Sequence, residues 1–235
     1  MNTDSLIEMY KREKSSSERA NFEDLYQSAA EFCNPSADNI QQRKSKGQRD
    51  DVQRVTDVGI KARRMFTAGM MSHLFPQGQN WLRLVTANRD LIKIDNVTRA
   101  LTSAGKKLIR AIEDSNFYEE MGQCIDHCGY IGTTALYCES TKSQVLNFRS
   151  HYINQFYFCE NYLGIIDTVI REFKLTARQA MQQFGEECSE EIIKNASDPK
   201  TSTKEYMFIH IVMPRNNVNL QSKLKEDKKG ASYFS

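Results

Sequence analysis

A chain of 235 residues, 40 % apolar and 26 % charged, can bury a real core in one large domain or two small ones. Its formal charge of +2 argues against a protein whose main task is gripping duplex phosphate, which usually shows a clearly basic balance or stripe. No apolar run approaches the length of about 20 residues that a spanning helix needs. Residues 1–10, with Asp4 and Glu8, lack the apolar stretch of a signal peptide, so no membrane partner and synthesis in a cytoplasm are expected.

Residues 1–30 read as one polar helix with an apolar stripe of Leu6, Met9, Phe22, Leu25, Tyr26 and Ala29. Asn34-Pro35-Ser36 ends it, because the residue before a proline is pushed away from helical geometry. The basic run 36–50 reads as a solvated loop, with a contact to nucleic acid or an acidic partner as its alternative. Over 52–73 the spacing predicts the longest helix, with Val52, Val55, Gly59, Ala62, Phe66, Gly69 and His73 on one face. A glycine costs up to about 1 kcal/mol against alanine inside a helix. Two of them in one stripe therefore point to close approach of another backbone, from this chain or from a neighbouring subunit. His73, at the end of the stripe, reads as a donor to free helix-terminal carbonyls, the alternative being a pH-sensitive subunit contact.

Phe75-Pro76-Gln77-Gly78 stops that helix, and 81–85 reads as a short strand beginning at Trp81. Asp95 opens a second helix with Val97, Leu101, Ala104, Leu108 and Ile112 on its buried face. Asn116 and Glu119 have the spacing of a capping box for a third helix. Its apolar face is Phe117, Met121, Ile125 and Cys128, with Gly129 as its stop. From here the pattern turns extended: 133–138, 144–148, 156–160 and 165–175 are rich in β-branched and aromatic residues. Leu163-Gly164 supplies a hairpin turn between the last two. Thr176 with Gln179 forms another capping box, for a helix reaching Gly185, and a shorter helix covers 190–195. Strand 206–213 ends at Pro214, and the tail beyond it is polar.

Few residues offer chemistry. The six cysteines (33, 124, 128, 138, 159 and 188) lack framework spacing and read as free thiols used as small hydrophobes. Cys124, His127 and Cys128 share a helix face and have metal-ligand chemistry, but no second ligand pair stands at structural-zinc spacing. The pairs Glu119-Glu120 and Glu190-Glu191 suit helix N-termini electrostatically, and Glu186-Glu187 reads as solvated. No nucleophile elbow, phosphate-binding loop or His-Glu-x-x-His helix is present, so no catalytic residue, metal or cofactor is assigned.

Three landmarks in order resemble the podovirus head-to-tail connecting (portal) family. The first runs from Asp57-Val58-Gly59-Ile60 to Met70-Met71-Ser72-His73-Leu74-Phe75-Pro76, then Trp81-Leu82-Arg83-Leu84. The second joins Asn116-Phe117-Tyr118-Glu119 to Gly129-Tyr130-Ile131-Gly132-Thr133-Thr134-Ala135-Leu136. The third leads from Gly164-Ile165-Ile166-Asp167-Thr168-Val169 through Phe173-Lys174-Leu175-Thr176-Ala177-Arg178-Gln179 to Phe184-Gly185. In this resemblance Leu74, Phe75, Pro76 and Trp81 are structural signature residues. The implied fold is α+β and portal wing-like: 1–130 mainly helical, 131–213 β-rich with short helices, and 214–235 a polar tail approaching a stem and clip. Family members continue past this point, so the resemblance implies a fragment, a truncated product or one piece of a split protein.

The resemblance further implies a structural, non-enzymatic subunit of a dodecameric ring at one capsid vertex, made in the host cytoplasm and carried in the virion. The ring would conduct genomic DNA in packaging and ejection and meet the terminase motor, the capsid or its scaffold, and the tail adaptor. Gly59, Ala62, Phe66, Gly69 and His73 are then the candidate packing or subunit interface. The runner-up is a structural adaptor without a channel. A metal-dependent hydrolase using Cys124, His127 and Cys128, and a nucleic-acid module using 43–54, rank below it.

Overall fold

The computed structural model describes residues 3–35, 40, 56–140, 145–214 and 233–234. The expectations for Val52, Val55, the basic run 43–54, Gln144 and nearly all of the tail lie outside the described residues, as does almost all of the loop 36–50. Among the described residues, helices and two small antiparallel sheets make an α+β fold.

The N-terminal stretch is two helices, α1 (Thr3–Lys14) and α2 (Ser17–Cys33), where the sequence pattern predicts one. The serine run explains the break. Serine hydroxyls compete with the helical backbone: Ser15 Oγ donates back to the Arg12 carbonyl, and Ser16 Oγ accepts from the Arg19 amide. α2 ends just before Asn34-Pro35, as expected.

The chain packs as two units, 1–20 with 155–235 and 21–154. The second contains α3 (Val58–Leu74), α4 (Asp95–Glu113), α5 (Phe117–Ile131) and the hairpin of β1 (Ala135–Glu139) with β2 (Asn147–His151). Its core is aromatic. The Phe117 ring stacks on Trp81 at 5.9 Å and meets Phe75, Tyr118 and Phe148 edge-on at 5.1–5.4 Å, with Ile112 buried alongside. The family-like stop is thus a packing device. The turn through Pro76 and Gly78 (φ +74°) brings Trp81 back onto the residue that opens α5, where its Nε1–H reaches the Tyr118 hydroxyl at 3.3 Å.

Five local expectations in this unit need correction. Residues 81–85 join neither sheet, because Trp81 is used in the aromatic core and no strand among the described residues pairs with the segment. On α4, Ile112 is buried and Val97, Leu101 and Leu108 are half-buried as expected, but Ala104 is exposed and the buried face takes in Gly105 and Ile109 instead. Asn116 does not cap α5. Its amide instead clamps β2, donating to the Phe148 carbonyl (2.7 Å) and accepting from the Phe148 amide (2.8 Å). Gly129 lies inside α5, and the stop is Gly132, left-handed at φ +85°. Cys128, placed on the apolar face by spacing, is exposed.

In the other unit, β3 (Phe156–Glu160), β4 (Ile166–Thr176) and β5 (Glu205–Pro214) form the body of the larger antiparallel sheet, with β6 (Tyr233–Phe234) at its edge. The Thr176–Gln179 box forms with both hydrogen bonds and starts α6 (Ala177–Phe184). Its Ala177 and Ala180 pack with Ile192 of α7 (Glu190–Ser197). Across the sheet, Tyr10 of α1 packs on Tyr157 and Ile170.

Strand β4 alternates in burial, and that alternation carries Glu172 inward with Thr168 and Ile170. Glu172 is satisfied there: the Tyr10 hydroxyl and the Lys14 ammonium (2.9 Å) both donate to it. Burial pushes the Tyr10 phenol above its ordinary value, and the bond to Glu172 adds to this. Burial works against a charged Lys14, but its bonds to Tyr10 and Glu172 outweigh that and hold the amine up at about 12. Both groups bind protons more tightly folded than unfolded. Their stabilising contribution is therefore complete below about pH 10 and lost as pH rises toward 12. Urea denaturation should show stability falling across that window, and Glu172→Gln should make the fall shallower.

Candidate assembly interface

Helix α3 is built without an acid and with three cations, Lys61, Arg63 and Arg64. Lys61 pairs with Asp57 one turn back, and His73 sits in the last turn, where a positive or donating group suits the helix dipole. The His73 Nδ1 lies 2.7 Å from the Gly69 carbonyl, so that nitrogen carries the proton and donates. Phe75 N–H closes the helix onto the Met71 carbonyl, and Pro76 follows.

The inner face of α3 is Ile60, Arg63, Thr67 and Met71, the residues shielded most consistently along the helix. Arg63 Nη1 bonds Asp126 Oδ2 of α5 at 3.0 Å, Thr67 Oγ1 donates to Asp126 Oδ1 at 3.2 Å, and the Arg63 guanidinium lies over the Tyr130 ring. Asp126→Ala would leave the Arg63 charge nearly buried without its counter-ion. The expected loss is about 2 kcal/mol in urea denaturation, below the 3–5 kcal/mol of a fully buried pair because water still reaches both groups.

The five residues of the sequence stripe fall beside this face rather than on it. Gly59 meets α2: a Cβ there would stand 2.8 Å from the Phe32 carbonyl oxygen. The Phe66 ring covers Gly129, where a Cβ would lie 2.8 Å from Phe66 Cδ1. Ala62 and His73 are exposed, and nothing stands within 4 Å of a Cβ built on Gly69. Outward with them point Val58 and Met65, 66 % and 75 % exposed, and no residue of α3 is fully buried. Phe22, Leu25 and Phe32 of α2 are also exposed. Sequence spacing missed Val58 and Met65, although Val58, Ala62, Met65 and Gly69 keep the same three–four rhythm one position out of phase.

The other weighed constellation disperses. Cys124 is buried with its thiol 3.3 Å from Ser150 Oγ, Cys128 is exposed, and the His127 ring packs 4.9 Å from that of Tyr152. Burial holds the His127 imidazole below its ordinary value. Among the described residues no three His, Cys, Asp or Glu side chains are placed to share a metal ion. The acid pairs are put to structural use: Glu120 accepts from the Ser150 amide, and Glu191 accepts from Lys204 and the Tyr206 hydroxyl. Among the described residues no helix is long and apolar enough to cross a membrane.

The structure is thus an α+β chain with an aromatic-locked helix stop and a helix left open on one side. The chain belongs to the bacteriophage head to tail connecting protein family, whose profile matches residues 6–234. It is similar to the portal protein of Salmonella phage epsilon15, 26 % identical over 219 residues, which are 93 % of this chain and 39 % of the relative. It is also similar to the probable portal protein of Bordetella phage BPP-1, 22 % identical over 174 residues, 74 % of this chain and 31 % of that protein. The chain therefore spans between three and four tenths of the length of these relatives.

Proposed function

We propose that this chain is the wing portion of a phage portal subunit, a structural protein that acts in a ring rather than as an enzyme. The observation that carries the reading is the family match over residues 6–234, supported by two portal-named relatives. The ring is dodecameric, sits at one vertex of the capsid and conducts genomic DNA during packaging and ejection. Its partners are its own copies, the terminase motor, the capsid or scaffold, and the tail adaptor.

Within that reading, the division into a helical region 1–130, a β-rich region 131–213 and a tail 214–235 follows the progression from wing toward stem. The open side of α3 has a physical use. A helix that leaves Val58, Met65 and Ala62 in water gives up stabilisation that a neighbouring copy can recover. Gly59 and Phe66 anchor α3 on its own chain, while Ala62, Gly69 and His73 face the neighbour. Near-neutral charge suits a conduit past which DNA slides without being held.

Native mass spectrometry of the product of the natural reading frame tests this. A closed ring of identical copies is expected. A monomer at every protein and salt concentration would remove the connector reading and favour an adaptor without a channel.

A further inference from the structure

The β3–β4 hairpin carries at its tip the most exposed large apolar side chain of the described residues, Tyr162 at 94 %, with Leu163 at 63 % and Ile165 and Ile166 half-exposed beside it. Turns are ordinarily polar, so such a crown needs a reason. It is not a loose loop. Asn161 Oδ1 accepts from the amides of Leu163 and Ile165, Asn161 N–H bonds the Ile165 carbonyl, and Gly164 takes the φ of +71° that closes the turn. The crown is thus held in one shape before anything touches it, which lowers the entropic cost of docking.

Its charge names the occupant. Segment 160–167 carries Glu160 and Asp167 and no cation. The outward face of α3 is the reverse: apolar at Val58, Ala62 and Met65, open above Gly69, and flanked by cations with no acid between 58 and 74. Lys61 and Arg63 have carboxylate partners, which leaves Arg64 without an ion pair among the described residues, as Glu160 is. Two different apolar patches of opposite charge on one chain suit a head-to-tail contact, the kind that repeats around a ring.

Resting on the ring reading above, we propose that the β3–β4 tip of one copy seats on the outward face of α3 of the next, with Tyr162 and Leu163 against Ala62, Met65 and Gly69 and Glu160 toward Arg64. The hairpin is then the projecting half of the subunit contact and α3 the receiving half.

Replacing Tyr162 by p-benzoylphenylalanine in the natural full-length product, assembled from mixed light and heavy isotopes, reads this contact directly. Irradiation is expected to give mixed-isotope adducts on the peptide spanning 58–74. A ring whose adducts fall elsewhere overturns the docking and leaves the ring reading standing. A chain that stays monomeric and gives no mixed-isotope adduct overturns both. Tyr162→Asp with Leu163→Asp should raise the concentration for half-assembly by about thirtyfold or more, as loss of a central anchor does. Its melting curve should be unchanged, because both side chains already face water. Assembly of that variant at the wild-type concentration would count against the tip. Arg64→Glu and Glu160→Arg should each weaken assembly, and combining them should restore part of it. Failure of the pair to restore anything overturns the charge match.

Discussion

Phe117→Ala is expected to lower stability by about 3–5 kcal/mol, the range for deleting a large core aromatic. Phe117 is the centre of its unit rather than one member of a crowd. Four aromatic rings, those of Phe75, Trp81, Tyr118 and Phe148, lie within 6 Å of it, and it is the one ring that touches all the others. Three separate pieces of chain lose their common contact at once: the stop after α3, the entry to α5 and strand β2. Collapse into the space is resisted because Trp81 is tethered to Tyr118 and the β2 backbone to Asn116. Urea denaturation followed by the fluorescence of Trp81, the sole tryptophan, measures the change at its source. A loss below about 1 kcal/mol would mean that the rings repack freely and the signature stop is not anchored there.

What was legible in the sequence was whatever a short stretch decides for itself. The Thr176–Gln179 box, the Gly164 turn and the Pro76 stop each depend on residues within one turn of each other, and each formed as read. Long amphipathic patterns also located α4 and α5 and most of their inner faces, misplacing only Ala104 and Cys128, which are exposed. Errors arose where a tertiary partner outbid a local preference. Asn116 has cap chemistry, but two bonds to the β2 backbone are worth more to it than one to α5. Trp81–Leu84 has strand composition and, among the described residues, no strand to pair with, so propensity alone decided nothing. At Ser15-Ser16 the helical rhythm continued in the sequence while hydroxyl competition cut the backbone.

The candidate interface shows the same limit. A stripe of small residues states that something comes close; it does not state what. The structure gives Gly59 an answer in the Phe32 carbonyl and gives Gly69 none within the described residues. The outward pair Val58 and Met65, and the crown at Tyr162, became visible only once exposure could be compared with composition. Apolar side chains count as core in any reading of periodicity, and only the folded chain shows which of them found no partner.

That difference separates the two glycines by experiment. Gly59→Leu should cost about 1–3 kcal/mol in the isolated chain, because its Cβ meets backbone at 2.8 Å and a carbonyl of α2 cannot move aside as a side chain could. Gly69→Leu should cost nothing and can gain up to about 1 kcal/mol, since leucine is the better helix former and finds open space. Ring formation should nevertheless fail in both variants, for opposite reasons: Gly59→Leu through α2 and α3 losing their fit, Gly69→Leu through bulk on the face a neighbour must approach. Thermal melting and native mass spectrometry on the same samples read the two quantities separately. A Gly69→Leu protein that is stable and still closes a ring would place the contact elsewhere and leave the outward face of α3 to water. One that is stable and stays monomeric would make that face the surface on which copies meet.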